Sequence, residues 1–136
     1  MQLHITTDYA MRILIYLTEK NATIPSSELA DKLNIPHNYV QSLGRKMKKL
    51  GLVDTVLGPL GGFFLTRNPD EVTLYDVINL MERSVKLNRC LENDRLCSRQ
   101  ATSYCPVHAF LNELQITVEE KLKSVTLTSI VKGSWK

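Results

Sequence analysis

The stretch that most restricts what this chain can fold into lies between Leu52 and Thr66. There two short β-type runs, Leu52 to Leu57 and Phe63 to Thr66, flank Gly58-Pro59-Leu60-Gly61-Gly62. Apolar and β-branched runs around a Gly/Pro cluster read as a hairpin. What precedes it reads as helix. Ala10, Ile13, Leu14 and Leu17 recur at helical spacing after Thr6-Thr7-Asp8 and predict a first helix ending near Asn21. Pro25-Ser26-Ser27-Glu28 opens a short second helix with Leu29, Ala30 and Leu33 inward, and Asn34-Ile35-Pro36 breaks it. From His37 the apolar positions Val40, Leu43, Met47 and Leu50 follow at steps of three and four, and Gly51 is a natural stop. Two short helices around a tight turn, followed by a glycine-tipped hairpin, describe a winged helix-turn-helix.

The third helix carries the charge. Residues 1 to 67 hold eight Lys/Arg against five Asp/Glu, whereas residues 68 to 136 hold nine against nine, so the whole net charge of +3 is N-terminal. Arg45, Lys46, Lys48, Lys49 and Arg67 face Asp54 alone over residues 37 to 67. A lone basic run is usually a solvated helix face, but here it coincides with the helix that a winged fold lays in the major groove. Asn38, Gln41, Ser42 and Arg45 are the candidates for base edges or phosphates, and Lys46, Lys48 and Lys49 for phosphate. Gly61 and Gly62, with no Cβ, would let the wing tip approach the sugar-phosphate chain, or would merely make the turn.

A chain of 136 residues with 43% hydrophobic and 23% charged content suits one compact domain. No segment nears the roughly 18 uninterrupted apolar residues of a membrane span, and the first eight residues lack the pattern of a secretory signal, so a cytoplasmic protein without a membrane partner is expected. His4, His37 and His108 fall in unrelated contexts, and neither a phosphate-cradling glycine motif nor a carboxylate pair is recognisable, so the chain does not read as an enzyme.

Pro69 to Thr73 leads into a fourth helix with Leu74, Val77, Ile78 and Met81 on one face. The polar stretch that follows holds all three cysteines, Cys90, Cys97 and Cys105, a distribution that suits a local site better than a disulfide framework. Cys105 precedes Pro106, which favours the first position of a helix, so its sulfur would lie where the helix dipole stabilises a thiolate. His108 could face the same way. Arg89, Arg95 and Arg99 would offset the negative charge. From Pro106 the residues Val107, Leu111, Leu114, Val118, Leu122 and Val125 form a narrow apolar stripe on a long helix, which suits the partner helix of a second subunit. A dimer would also match half-sites about 34 Å apart on pseudo-palindromic DNA. The chain thus divides into a DNA-binding unit over residues 1–83, a cysteine loop over 84–105 and a dimerisation helix with a C-terminal segment over 106–136. The expected class is mainly α with a small β-hairpin wing.

The chain resembles, nearly end to end, the Rrf2 family of bacterial winged-helix regulators. The motifs that carry the resemblance are Thr7-Asp8-Tyr9-Ala10, Ile35-Pro36 through Tyr39-Val40 into Lys49-Leu50-Gly51-Leu52-Val53, the wing Gly58 to Leu65, the three cysteines, and Thr126-Leu127-Thr128-Ser129-Ile130-Val131. The resemblance implies a homodimeric repressor on double-stranded promoter DNA, with a 2Fe-2S or 4Fe-4S cluster held by Cys90, Cys97, Cys105 and one other ligand. It implies sensing of nitric oxide, redox state or iron-sulfur supply. His108 matches the fourth ligand of the IscR-like branch, and Asp8 the acid that the NsrR-like branch donates from the opposite subunit. For Asp8 the plain alternative is a first-turn acid complementing the helix dipole. A structural zinc or a bare-thiol switch would use the same cysteines, and a cluster carrier would need no basic face.

Overall fold

The computed structural model describes all of residues 1–136. Six α-helices and one hairpin follow in the order α1 (Ile5–Lys20), α2 (Ser26–Leu33), α3 (His37–Lys49), β1 (Val53–Val56), β2 (Gly62–Leu65), α4 (Leu74–Met81), α5 (Pro106–Lys123) and α6 (Leu127–Lys132), with a single 3-10 turn at Arg89–Leu91. The winged helix-turn-helix is present as expected. α1 and α2 end at Asn21 and Asn34, both left-handed, a conformation asparagine tolerates better than most residues.

One apolar cluster of 17 buried residues holds the chain together, drawing Ala10, Ile13, Leu14 and Leu17 from α1, Val40, Leu43 and Met47 from α3, and Phe63 from the wing. The hairpin pairs antiparallel, Val53 with Leu65 through Val56 with Gly62. It is also fastened near its tip: Ile24 and Phe63 exchange both backbone hydrogen bonds, at 2.9 and 2.8 Å. Phe63 then reaches α3, where Gly44 leaves room for its ring. A Cβ on Gly44 would lie 2.3 Å from the ring edge.

α4 begins with a reciprocal cap between Thr73 and Asp76, and α6 with the same device between Thr126 and Ser129. α6 packs back on α1, and its Leu127 is fully buried in the common core, so the C-terminal segment supports the N-terminal unit. α5 starts at Pro106 behind Cys105, where the dipeptide pointed. Its apolar stripe is covered unevenly within the chain: Leu111, Val118 and Leu122 are half-buried, whereas Val107 is 61% and Leu114 38% exposed, with Phe110 and Ile116 exposed off the stripe. Val125, placed on the stripe by periodicity, lies past the helix end and is buried. The one buried residue on α5 is polar, Gln115. No helix is long and apolar enough to cross a membrane.

Candidate functional site

α3 buries Val40, Leu43, Gly44 and Met47 and turns Asn38, Ser42, Arg45, Lys46 and Lys49 outward. Gln41 is half-buried. Its amide donates to the Ser26 hydroxyl at 3.1 Å, and that oxygen lies 3.2 Å from His37 Nε2. An amide nitrogen carries two hydrogens, so Gln41 retains one donor and its carbonyl oxygen while the bond to Ser26 fixes its direction. Lys48 is turned toward the wing, donating to Thr55 Oγ1 at 3.1 Å and standing 3.2 Å from Asp54. The Thr55 amide and then Lys48 hold the Asp54 carboxyl below its usual range. Lys48 therefore ties helix to hairpin. Ser42 donates to Tyr39 O at 3.3 Å, within its own helix.

Gly61 and Gly62 both meet backbone of their own chain. A Cβ on Gly61 would stand 2.0 Å from Val56 O, and one on Gly62, at φ +156°, 2.1 Å from Ile24 O. Their lack of a side chain is required by the wing's own closure. What the tip presents outward is Leu57, Gly58, Pro59 and Leu60.

At the other end of the molecule Cys90, Cys97, Cys105 and His108 line one cavity of about 380 Å³, together with Arg89 and Arg99. Each cysteine is half-buried and none is disulfide-bonded. His108 Nδ1 lies 3.1 Å from Cys90 Sγ, and the Asn88 amide donates to the same sulfur at 3.4 Å. The Cys97 thiol is held below its ordinary range by the backbone N–H groups of Ala101 and Arg99, joined by Gln100 and the Arg99 charge. Cys105 occupies the N-cap position of α5 but makes no side-chain capping hydrogen bond, and the surroundings that favour a thiolate are built around Cys97. Three thiols and an imidazole fit a thiophilic group, and cluster ligation by cysteine thiolates uses this chemistry. No three such side chains are drawn together at single-ion distances; they ring the cavity. Of the three arginines, Arg89 is engaged with Asp94 at 2.6 and 2.5 Å, Arg99 lines the cavity, and Arg95 does not.

Asp8 is not part of that wall. It pairs with Arg12 at 2.7 Å on the first turn of α1, and Arg12 also stands 5.2 Å from the Tyr9 ring centre. Within one chain, His108 is the fourth donor that the fold brings to the cysteines.

Two residues outside every sequence motif position the cysteine loop. Gln115 accepts from Leu87 N at 2.8 Å and donates to Val85 O at 3.0 Å and to Glu119 at 2.9 Å, pinning the strap before Cys90 onto α5. Glu119 also takes Lys86 at 2.7 Å. Glu82, only 7% exposed, accepts from the His4 amide at 2.7 Å, the His4 ring at 2.5 Å and the Thr7 hydroxyl at 2.9 Å. Burial alone would raise the Glu82 carboxyl, but these donors outweigh it and bring it below its ordinary range. Both are long-range polar contacts with no local signature.

Comparison with known proteins agrees with this architecture. A family model described as Rrf2, iron-dependent transcriptional regulator, matches residues 3–133. An HTH-type transcriptional regulator of Aquifex aeolicus is 31% identical over 127 residues, 93% of this chain and 88% of its own length. The regulator NsrR of Shouchella clausii is 28% identical over 134 residues, covering 96% and 89%. CymR, the global cysteine regulator of B. subtilis, superposes with a TM-score of 0.82 at 21% identity over 97% of each chain, a likeness of fold. With the family model spanning nearly the whole chain and winged helix, wing and C-terminal helices all in place, this protein belongs to the Rrf2 family of transcriptional regulators, which are not enzymes.

Proposed function

We propose that the protein is a homodimeric repressor that reads promoter DNA with α3 and the wing, and whose affinity is set by an iron-sulfur cluster at Cys90, Cys97, Cys105 and His108. The observation that carries this reading is the convergence of three cysteines from one polar loop with His108 of α5 on a single cavity at the start of that helix. Such a cluster would supply iron that reacts with nitric oxide and oxidants. The chain's part is to hold three sulfurs and one imidazole, with the Cys97 thiolate favoured by backbone amides. Asp8 of a second subunit is the competing fourth donor; it would first have to leave Arg12. The exposed apolar residues of α5, Val107, Phe110 and Leu114, are the proposed dimer contact.

A coupling of about 3 kcal/mol between the two arrangements of the cysteine loop changes DNA affinity roughly 100-fold. Arg45, Lys46 and Lys49 stand free to meet phosphates. With about six to ten phosphate contacts per dimer, affinity falls roughly 10³- to 10⁵-fold between about 50 and 200 mM salt.

Anaerobic purification tests the assignment. Brown protein with iron and acid-labile sulfide is expected, and Cys97→Ala should lose the colour while remaining folded and dimeric. Gel shifts with and without nitric oxide should then differ. Neither iron nor sulfide after reconstitution refutes the cluster. The amide-lined Cys97 favours a second reading, a bare-thiol switch, whose signature is metal-free protein with an oxidant adduct on Cys97 and an altered gel shift.

A further inference from the structure

The wing carries a chemistry that the basic face of α3 does not. Leu57 is 93% and Leu60 91% exposed, Val56 is 47% exposed beside them, and Pro59 lies between the two leucines. No charged residue occurs between Asp54 and Arg67. A phosphate-gripping tip would carry Lys, Arg or Asn; this one is neutral and apolar. It is also rigid. The Gly61 amide donates to Gly58 O at 3.0 Å, Gly61 is closed against Val56, and Gly62 lies against Ile24. Phe63 seats on Gly44 of α3, and Lys48 links that helix to Asp54 and Thr55. The hairpin that carries the leucines is thus anchored to the reading helix and continuous with the proposed DNA face.

Resting on that reading, we infer that Leu57 and Leu60 form an apolar wedge that enters the minor groove beside the α3 site and partly unstacks a base step. Apolar side chains inserted from the minor groove kink the duplex, and pyrimidine-purine steps yield most easily. The wing would thereby select sequence by deformability at a position where it makes no hydrogen bond to a base. Because the tip brings no cation, its contact adds affinity without releasing counterions.

The probe is a duplex selected from random DNA by the wild-type dimer. Binding is followed by fluorescence anisotropy across a salt series, and bending by energy transfer between the duplex ends. Leu57→Ala with Leu60→Ala should weaken binding about 10-fold or more, as expected when buried apolar surface is removed at both wings of a dimer. The slope of log affinity against log salt should stay unchanged, and the bend should shrink. Both side chains lie in solvent, so the variant should melt like wild type. Arg45→Ala, measured alongside, should weaken binding and reduce the slope. Unchanged affinity and bend in the leucine variant, with Arg45→Ala impaired, overturn the wedge alone. Normal binding by Arg45→Ala, or failure of wild type to select any duplex, overturns the α3 reading and the wedge with it. A leucine variant of lower oligomeric mass than wild type would assign the tip to self-association instead.

Discussion

Replacing Gln115 by Ala should loosen the cysteine loop without unfolding the protein. Gln115 is 3% exposed, and its amide is shared between Leu87 N, Val85 O and Glu119. Truncation removes the acceptor for one strap amide and the donor for one strap carbonyl. A buried polar group left unpaired costs about 1–3 kcal/mol. Because Val85 and Leu87 are only half-buried, water recovers part of that, and the net loss should be about 2 kcal/mol. It falls on local opening of the strap, since Gln115 lies outside the apolar cluster that holds the chain together. An opening equilibrium shifted by about 2 kcal/mol is roughly 30-fold, so hydrogen exchange at the Leu87 amide should accelerate by that factor. Alkylation of Cys90, three residues on, should accelerate too. Gln115→Glu separates the two halves of the contact. It keeps an acceptor for Leu87 but loses the donor to Val85 and sets a carboxylate against Glu119, so it should be at least as disruptive. Gln115→Met fills the space without hydrogen bonds and should behave like Ala. Unaltered exchange at Leu87 in both Ala and Met variants would refute the claim that this side chain positions the strap.

Gly44→Ala sets two effects against each other, a helix-propensity gain of about 1 kcal/mol and a Cβ at 2.3 Å from the Phe63 ring, for which overpacking costs about 1–3 kcal/mol. A net loss of roughly 1 kcal/mol in urea unfolding is expected, with a larger loss of DNA affinity because the wing is displaced; a stabilised variant with normal affinity contradicts the packing. Glu82 has a carboxyl held below its unfolded value, so its contribution is present above about pH 4.5 and is lost as pH falls through the lower folded value. Glu82→Gln should therefore cost about 1–2 kcal/mol at neutral pH, the scale of hydrogen bonds to a charged acceptor, and flatten the acid limb of a stability-against-pH curve. An acid limb identical to wild type would assign the acid sensitivity to other carboxylates.

The winged helix-turn-helix half of the molecule is legible in the sequence because its determinants are local. Steps of three and four from Val40 to Leu50 are enough to orient α3, Pro36 and Gly51 bound it, and Cys105-Pro106 marks the start of α5. Periodicity could not say what covers a stripe, so α5 read as uniformly apolar on one side although the residue it buries is Gln115. Gly44 carries no local signal for a related reason. A glycine within a helical pattern reads as a small cost until the ring of Phe63, from another element, is seen against it. The two glycines of the wing were noticed, but their backbone neighbours, Val56 and Ile24, belong to tertiary structure. Likewise the bond between His4 and Glu82 joins residues 78 apart, and nothing near either one announces it.

These missed contacts share a physical character that bears on how the two ends of the protein communicate. The strap between α4 and the cysteine loop is held at one end by Glu82 to His4 and Thr7 of α1, and at the other by Gln115 of α5. Both joints are hydrogen-bonded, and the side chains that make them, Glu82 and Gln115, are largely shielded from solvent. Apolar packing can slide by fractions of an ångström at little cost, whereas a directional bond between buried polar groups is either made or broken. A strap fixed in this way has discrete arrangements. Because α1 in turn packs on α3, α4 and α6, a strap released from Glu82 would alter the footing of α3, the proposed reading helix. With each joint worth about 1–2 kcal/mol, breaking both amounts to about 3 kcal/mol, which is the coupling that a roughly 100-fold change in DNA affinity requires.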